Sequence, residues 1–437
     1  MQERLASLAA RLPRPGSRLR LRSRGEPALV ALDVGTEFAK ALVVAITPVE
    51  EGRFVGFVRG AGRRRQGLTH MQSGTVSDID AVVANCAQAL DDARQMAGLH
   101  PTAAVIGIAG ELVKGATVSR TVRRDDPRAA MTEDELWRIV QQVQADALVE
   151  AESRISWESG VERLDVRLVH AAVVELKIDG YPVSNPIGFT GAQLELAVFN
   201  AFAPMVHLGA LQSVATALGL ELLGVIAEPY AVATCLDPGE MGDAGAVFID
   251  VGGGTTDVAL VRRGGIAGTK MLALGGRAFT KGLVERFSIS FPRAEALKVA
   301  VGEADELPEP IDRTALETAL RDDAAVWLGG VELMIHDLAE GELLPGRVFL
   351  CGGGAQLPQI GEALAGDAWW QRLPFARRPE VRALSPMDVA SVRDASGELT
   401  TRQDVTPMAL AHQALILDAR ASAAERAMRR TVRSLEL

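Results

Sequence analysis

Apolar positions along the chain fall into short buried strands, amphipathic helices and one stretch of different texture. ALVALDVG, ending at Gly35, and LVVAI after it are apolar runs separated by a polar turn containing Gly35, Thr36 and Glu37, the pattern of a hairpin. Gly52 to Gly74 reads as further strand and a basic loop, GRRRQG. SDIDAVVANCAQALDDARQMAG then has helical periodicity, with Ser77 or Asp78 as the N-cap. AAVIGIAG is another buried strand. From Leu112 to about Pro204 the pattern changes to exposed alternation, a long helix opened by Thr132 with Glu135 three residues on as a capping box, and two half-buried alternating segments. This predicts a small α+β insertion. Helix returns in MVHLGALQSVATALG, strand and helix follow in LLGVIAEPYAVATCL, and VFIDVGGGTTDVAL, Val247 to Leu260, supplies a second hairpin. Strands alternating with helices predict an α/β fold whose sheets are covered on their faces.

The chain has 437 residues, 48% of them hydrophobic, which suffices for two or more cores. Aromatics are only 4%, so Ala, Val and Leu carry the packing. Cys86, Cys235 and Cys351 lie far apart, odd in number and without metal-ligand spacing, which argues against a disulfide framework and for a reducing compartment such as the cytosol. No apolar run approaches the roughly 18 residues that span a bilayer, and the first residues lack the apolar core of a signal peptide. The expectation is a chain neither secreted nor membrane-spanning. A net charge of −10 argues against nucleic acid as a partner. Residues 1–27 reverse that sign locally: Leu5, Leu8, Ala9 and Leu12 share a helical face, Pro13 and Pro15 end it, and an Arg-rich segment follows. That tail is either a basic foot for an anionic membrane surface or a solvated extension.

Asp-Val-Gly occurs twice, at Asp33 and Asp250, 217 positions apart (250 minus 33), each at the end of a strand and before a tight turn. Gly252, Gly253 and Gly254 let main-chain N–H groups approach an anion without interference from Cβ. The hydroxyls of Thr36, Thr255 and Thr256 can donate to phosphate oxygens, and Asp33 and Asp250 can hold Mg²⁺ through water, with Asp257 beside them. A third glycine turn, Gly352, Gly353 and Gly354, follows a strand and precedes a helix in RVFLCGGGAQLPQIGEAL. No GxGxxG opens a helix after a strand, which excludes the dinucleotide-binding reading. The order hairpin, hairpin, glycine turn resembles the actin-like ATPase superfamily. That resemblance implies ATP–Mg²⁺ bound in a cleft between two ribonuclease-H-like lobes. It further implies that Glu228, in EPYAVA, positions the water attacking the γ-phosphate; in isolation the same acid could simply stabilise a helix start. RAEALKVAVG resembles the adenine-side helix, with Glu295 and Lys298 on one face, and Gly275 and Gly276 match the loop before it; taken alone, the pair would be a surface salt bridge.

The placement of the insertion resembles the bacterial FtsA family, as does KIDGYPVSNPIGFTGAQLELAV within it. On that resemblance the chain divides into a basic tail (1–27), a first lobe (28–110 and 206–243), an FtsA-type insertion of SHS2-like kind (111–205), a second lobe (244–275 and 345–417), a helical adenine-side subdomain (276–344) and a basic C-terminal helix (418–437). It implies a cytoplasmic, membrane-associated scaffold that binds ATP, self-associates and recruits the tubulin homologue FtsZ and membrane division proteins. The first hairpin departs from the family in carrying Glu37 and Phe38 after Thr36, with its lysine at Lys40, an offset similar to PilM of type IV pilus assembly. A PilM-like component binding the tail of a pilus assembly protein is therefore the alternative, and a small-molecule kinase a third. Thr280 and Lys281 stand where relatives carry an acid. These departures bear on nucleotide turnover, at most a weak ATPase, more than on binding. The C-terminal segment places Ala424, Met428, Val432 and Leu435 on one face and arginines elsewhere, fitting either an interfacial helix or one docked on the body.

Overall fold

Two parts of the chain each build a sheet on the same plan. The computed structural model describes residues 26–49, 54–160, 164–242, 244–262, 264–308 and 310–418. It opens with the strands β1 (Ala28–Val34), β2 (Phe38–Pro48) and β3 (Phe54–Arg65), the two-residue strands β4 (Met71–Gln72) and β5 (Thr75–Val76), helix α1 (Ile79–Ala97) and β6 (Ala103–Ile108). The insertion holds β7 (Lys114–Arg123), α2 (Glu133–Ser159), β8 (Val166–Ile178), β9 (Tyr181–Pro182) and β10 (Gln193–Pro204). Next come α3 (Met205–Ala217), β11 (Glu221–Ala227) and α4 (Glu228–Ala233). The second part contains β12 (Ala246–Val251), β13 (Thr256–Arg262), β14 (Gly265–Leu272), α5 (Gly276–Phe287), α6 (Phe291–Gly302), α7 (Arg313–Ala339), β15 (Arg347–Cys351), α8 (Pro358–Ala365), β16 (Glu380–Ala383), β17 (Val392–Asp394) and α9 (Val405–Asp418).

The first sheet runs β11-β6-β1-β2-β3, with β1, β2 and β3 an antiparallel meander and β6 and β11 added in parallel beside β1. The second runs β16-β15-β12-β13-β14 on the same plan, β12 to β14 forming the meander and β15 and β16 the parallel additions. Each strand is placed by its alternation: Val247, Ile249 and Val251 of β12 enter one core while Ala246 and Phe248 enter the other. Glycines set the closest approach of helix to sheet. A Cβ at Gly60 or Gly62 of β3 would lie 2.1 or 1.9 Å from the carbonyl oxygens of Ala93 and Ala89, so α1 can press onto this strand only because those positions are bare.

Several details differ from the sequence expectation. The basic GRRR segment continues β3 instead of forming a loop, and its alternation sends Arg64 to Asp92 and Gln88 of α1 while Arg63 and Arg65 turn to the opposite face. Only half of the capping box at α2 forms. Thr132 Oγ1 accepts from the Glu135 N–H at 3.2 Å, but the Glu135 carboxylate is taken by Arg124 at 2.7 and 2.8 Å. Asp78 is the N-cap of α1, accepting from the Ala81 N–H at 3.0 Å. The insertion is not a free-standing unit: β7 pairs with β14 at Ala116–Gly268 and Gly115–Thr269, so β7, β10, β8 and β9 extend the second sheet. The range 345–417, expected wholly in the second lobe, splits. β17 pairs with β3, and α9 packs on β1, β2, β6 and α4. Helix α9 is predominantly apolar and buried from Val405 to Leu415, so it needs cover on every side and finds it against the first sheet, with its Thr406, His412 and Gln413 buried as well. The basic tail through residue 25 and the C-terminal helix from residue 419 lie outside the described residues. Among the described residues no helix is long and apolar enough to cross a membrane.

Candidate functional site

The two Asp-Val-Gly hairpins close with the same turn. The Gly35 N–H donates to the Phe38 carbonyl at 3.1 Å and the Gly252 N–H to the Thr255 carbonyl at 2.8 Å. Across the strands Asp33 faces Lys40, and at the equivalent place Asp250 faces Asp257. The tips meet because the second is bare: a Cβ on Gly253 would come within 2.6 Å of Glu37 Cβ, and one on Gly254 within 2.7 Å of Thr36 Oγ1. Between the sheets lies a cleft of about 370 Å³, lined by both hairpins, Arg63, Arg65, Glu228, Glu295, Lys298 and the turn at Gly352 to Gly354.

Acidity concentrates at its floor. Lys40 donates to Asp33 Oδ2 at 2.9 Å and to the Gln403 carbonyl at 2.8 Å. Thr406, from α9, donates to Asp250 Oδ2 at 2.6 Å. Burial raises the Asp250 carboxyl, with Asp33 adding to the rise, while the Thr406 hydrogen bond and Lys40 pull the other way. Asp257 is pushed well above the carboxylate range by burial and then by Asp250. Glu228, at the start of α4, is likewise raised by burial and then by Asp33, Asp257 and Asp250, with only Lys40 opposing. Four carboxyl groups thus face one ammonium, a charge imbalance that a cation would relieve. Among the described residues no three acidic, imidazole or thiol groups are close enough to hold an ion by themselves, so magnesium here would complete its shell from water and phosphate, as this hard cation does elsewhere.

The opposite end of the cleft is built by α5, α6 and the third glycine turn. Glu295 accepts from Thr280 Oγ1 at 2.5 Å and Lys298 Nζ at 2.7 Å, and Lys298 also donates to the Gly276 carbonyl at 3.0 Å. Burial works to raise the Glu295 carboxyl, but Lys298, Thr280 and Arg65 outweigh it and hold it below the usual range. Thr280 therefore fills the place of the expected acid by bonding to one. Gly352 sits at φ +88°, and a Cβ there would lie 2.2 Å from Asp250 Oδ1. The glycine turn thereby fits directly against the second hairpin.

Of the predicted site residues, Asp33, Gly35, Thr36, Lys40, Glu228, Asp250, Gly252, Gly253, Thr255, Asp257, Gly276, Glu295, Lys298, Gly352, Gly353 and Gly354 all line this cleft. Three do not. Gly254 packs against Thr36. Thr256 Oγ1 donates to the Leu274 carbonyl at 2.7 Å and accepts from Trp327 Nε1 at 2.9 Å, so it faces the core. Gly275 is wedged under the second hairpin, where a Cβ would meet the Thr255 nitrogen at 2.6 Å. Sequence reasoning missed Arg63, Arg65, Gln403 and Thr406. The first two were legible from the two-residue period of a strand; the others reach the cleft only through the return of the chain end, which no local pattern announces. Glu37, an unfavourable charge beside phosphates, lines the cleft but is paired with two guanidinium groups: Arg65 Nε and Arg277 Nε both donate to it at 2.7 Å.

A family model described as cell division protein FtsA matches residues 247–397. The chain is 25% identical to the FtsA of Neisseria meningitidis serogroup B over 349 residues, covering 76% of this chain and 79% of that protein. It is 24% identical to the FtsA of Bacillus subtilis over 351 residues, 76% and 74% of the respective chains. Among solved structures, a chain of the PilM-PilN type IV pilus biogenesis complex superposes with a TM-score of 0.63 at 16% identity, covering 90% of this chain and 99% of that one. The duplicated sheets and the cleft between them, with the structural likeness, give the chain the actin-like ATPase fold, and its sequence is similar to the FtsA proteins.

Proposed function

We propose that the cleft binds ATP with Mg²⁺ and that the chain serves as an FtsA-like scaffold of cell division, associated with the inner face of the cell membrane, self-associating and recruiting an FtsZ-like tubulin homologue. The observation that carries the nucleotide reading is the pair of equivalent turns, each headed by an aspartate, meeting tip to tip at the cleft. Asp33 and Asp250 would hold the metal through water; Gly35, Thr36, Lys40, Gly252, Gly253 and Thr255 would receive phosphate. Gly276, Glu295, Lys298 and the turn at Gly352 to Gly354 would border the nucleoside. The bound magnesium would supply the positive charge that the carboxyl cluster lacks. Glu228 keeps its proton to higher pH than a free glutamate and faces Asp33, a position from which it can orient water.

Asp250→Ala tests this reading: ATP–Mg²⁺ should raise the melting temperature of the wild type and leave that of the variant unmoved, because ligand stabilisation follows affinity. An equal rise in both rejects the site. The structural likeness to PilM supports a second reading, a pilus-assembly component that binds the cytoplasmic tail of a membrane partner. Co-purification with FtsZ rather than with pilus proteins separates the two, and pelleting with anionic vesicles tests the membrane role.

A further inference from the structure

Arg277 occupies the first turn of α5, where a cation is opposed by the helix dipole, so its position does not serve the helix. Its guanidinium instead reaches across to the first lobe. Nε donates to Glu37 Oε2 at 2.7 Å and Nη2 to the Thr36 carbonyl at 2.8 Å, with longer contacts to the carbonyls of Gly67 and Leu68. Glu37 in turn holds Arg65 at 2.6 Å, and Arg65 approaches Glu295 Oε1 of the second lobe at 3.3 Å. The charges alternate: Arg277 and Glu295 belong to the second lobe, Glu37 and Arg65 to the first. Glu37 and Arg277 side chains are only 14% and 11% exposed, whereas Arg65 is 53% exposed, so the inner link is screened little by salt and the outer link strongly. Arg277 is also fixed by its own backbone, whose N–H donates to the Gly253 carbonyl at 2.7 Å.

We infer that Arg277, Glu37, Arg65 and Glu295 form an electrostatic clasp across the mouth of the cleft, which holds the two lobes together through protein groups alone and limits the rate at which nucleotide leaves. The rate limit rests on the nucleotide-binding reading; the clasp does not. Parting the lobes pulls the first hairpin from the second, and the Arg277 guanidinium, which spans that seam with its charge-assisted bonds, must let go first.

Two readouts test the clasp on the full chain. Small-angle scattering of protein free of added nucleotide should show expansion for Arg277→Met and for Glu37→Gln, and the isosteric Glu37→Gln keeps the test valid if the other variant folds poorly. Release of a fluorescent ATP analogue with magnesium should be roughly tenfold faster in each, about 1.4 kcal/mol. The double variant should be faster than either single one by less than the product of their effects, since the Arg277–Glu37 link is already lost in each. Unchanged scattering and release in both single variants, or strictly additive effects in the double, would overturn the clasp. If the wild type shows no affinity for the analogue, the nucleotide reading falls and the scattering alone decides.

Discussion

Gly352 and Gly353 are neighbours in one turn, yet the structure assigns them opposite tolerance to a methyl group. At Gly352 the backbone has φ +88°, in the left-handed region, and a Cβ would stand 2.2 Å from Asp250 Oδ1 and 2.4 Å from the Val251 carbonyl. The conformation costs alanine about 1–3 kcal/mol, and forcing apart the packed hairpin adds about 1–3 kcal/mol, so Gly352→Ala should lose about 2–6 kcal/mol. At Gly353 φ is −66°, and the nearest atom to a Cβ is Gln403 Cβ at 3.5 Å, an ordinary contact. Gly353→Ala should therefore change stability by less than about 1 kcal/mol. Urea unfolding followed by tryptophan fluorescence reads both, because Trp327 and Trp369 are buried in the core beneath this turn. Since Gly353 lines the cleft, its methyl should lower ATP–Mg²⁺ affinity while leaving the fold intact, whereas the Gly352 variant should fail at the level of folding. Equal midpoints for the two variants, or a greater loss at Gly353, would refute the reasoning.

Asp257→Asn removes a buried carboxyl whose ionisation its surroundings oppose, so at a pH high enough to charge the wild-type group it should raise the melting temperature of the ligand-free protein by a few degrees and shrink any further rise given by ATP–Mg²⁺; a fall in the first quantity contradicts the electrostatic account. His170 is half-buried, edge-on to Tyr230 with ring centroids 4.5 Å apart, and desolvation lowers its pKa from 6.5 to about 4. A depressed histidine contributes stability above pH 6.5 that is lost as pH falls toward 4, about 2 kcal/mol by pH 5. His170→Phe should therefore narrow the gap between melts at pH 7 and pH 5. The raised cleft carboxyls act with the opposite sign, so the comparison must be between the slopes of variant and wild type; identical slopes count against an imidazole held neutral by desolvation.

The two Asp-Val-Gly hairpins were readable because β-branched runs bounded by glycine turns admit little else, and their repetition suggested two similar half-domains, though β14, the third strand of the second meander, carried no such mark. The cleft was expected from the family resemblance that those turns carry. Finer assignments failed where a residue had two uses. Thr256 looks like a phosphate donor in sequence, but strand alternation turns its side chain into the core, where Trp327 claims it. Glu135 looks like half of a capping box until Arg124, buried beside it, offers a stronger partner. The return of β17 and α9 to the first sheet was illegible for another reason. A largely apolar helix declares that it will be buried, not against what, and the answer depends on a surface several hundred residues earlier.

That return has a temporal consequence. Strands β1, β2 and β6 leave the ribosome early, but the helix that covers them emerges only with residues 405–418, after the entire second lobe has been made. The first domain begun is thus the last finished, and throughout synthesis it presents an open apolar sheet that chaperones would be expected to shield.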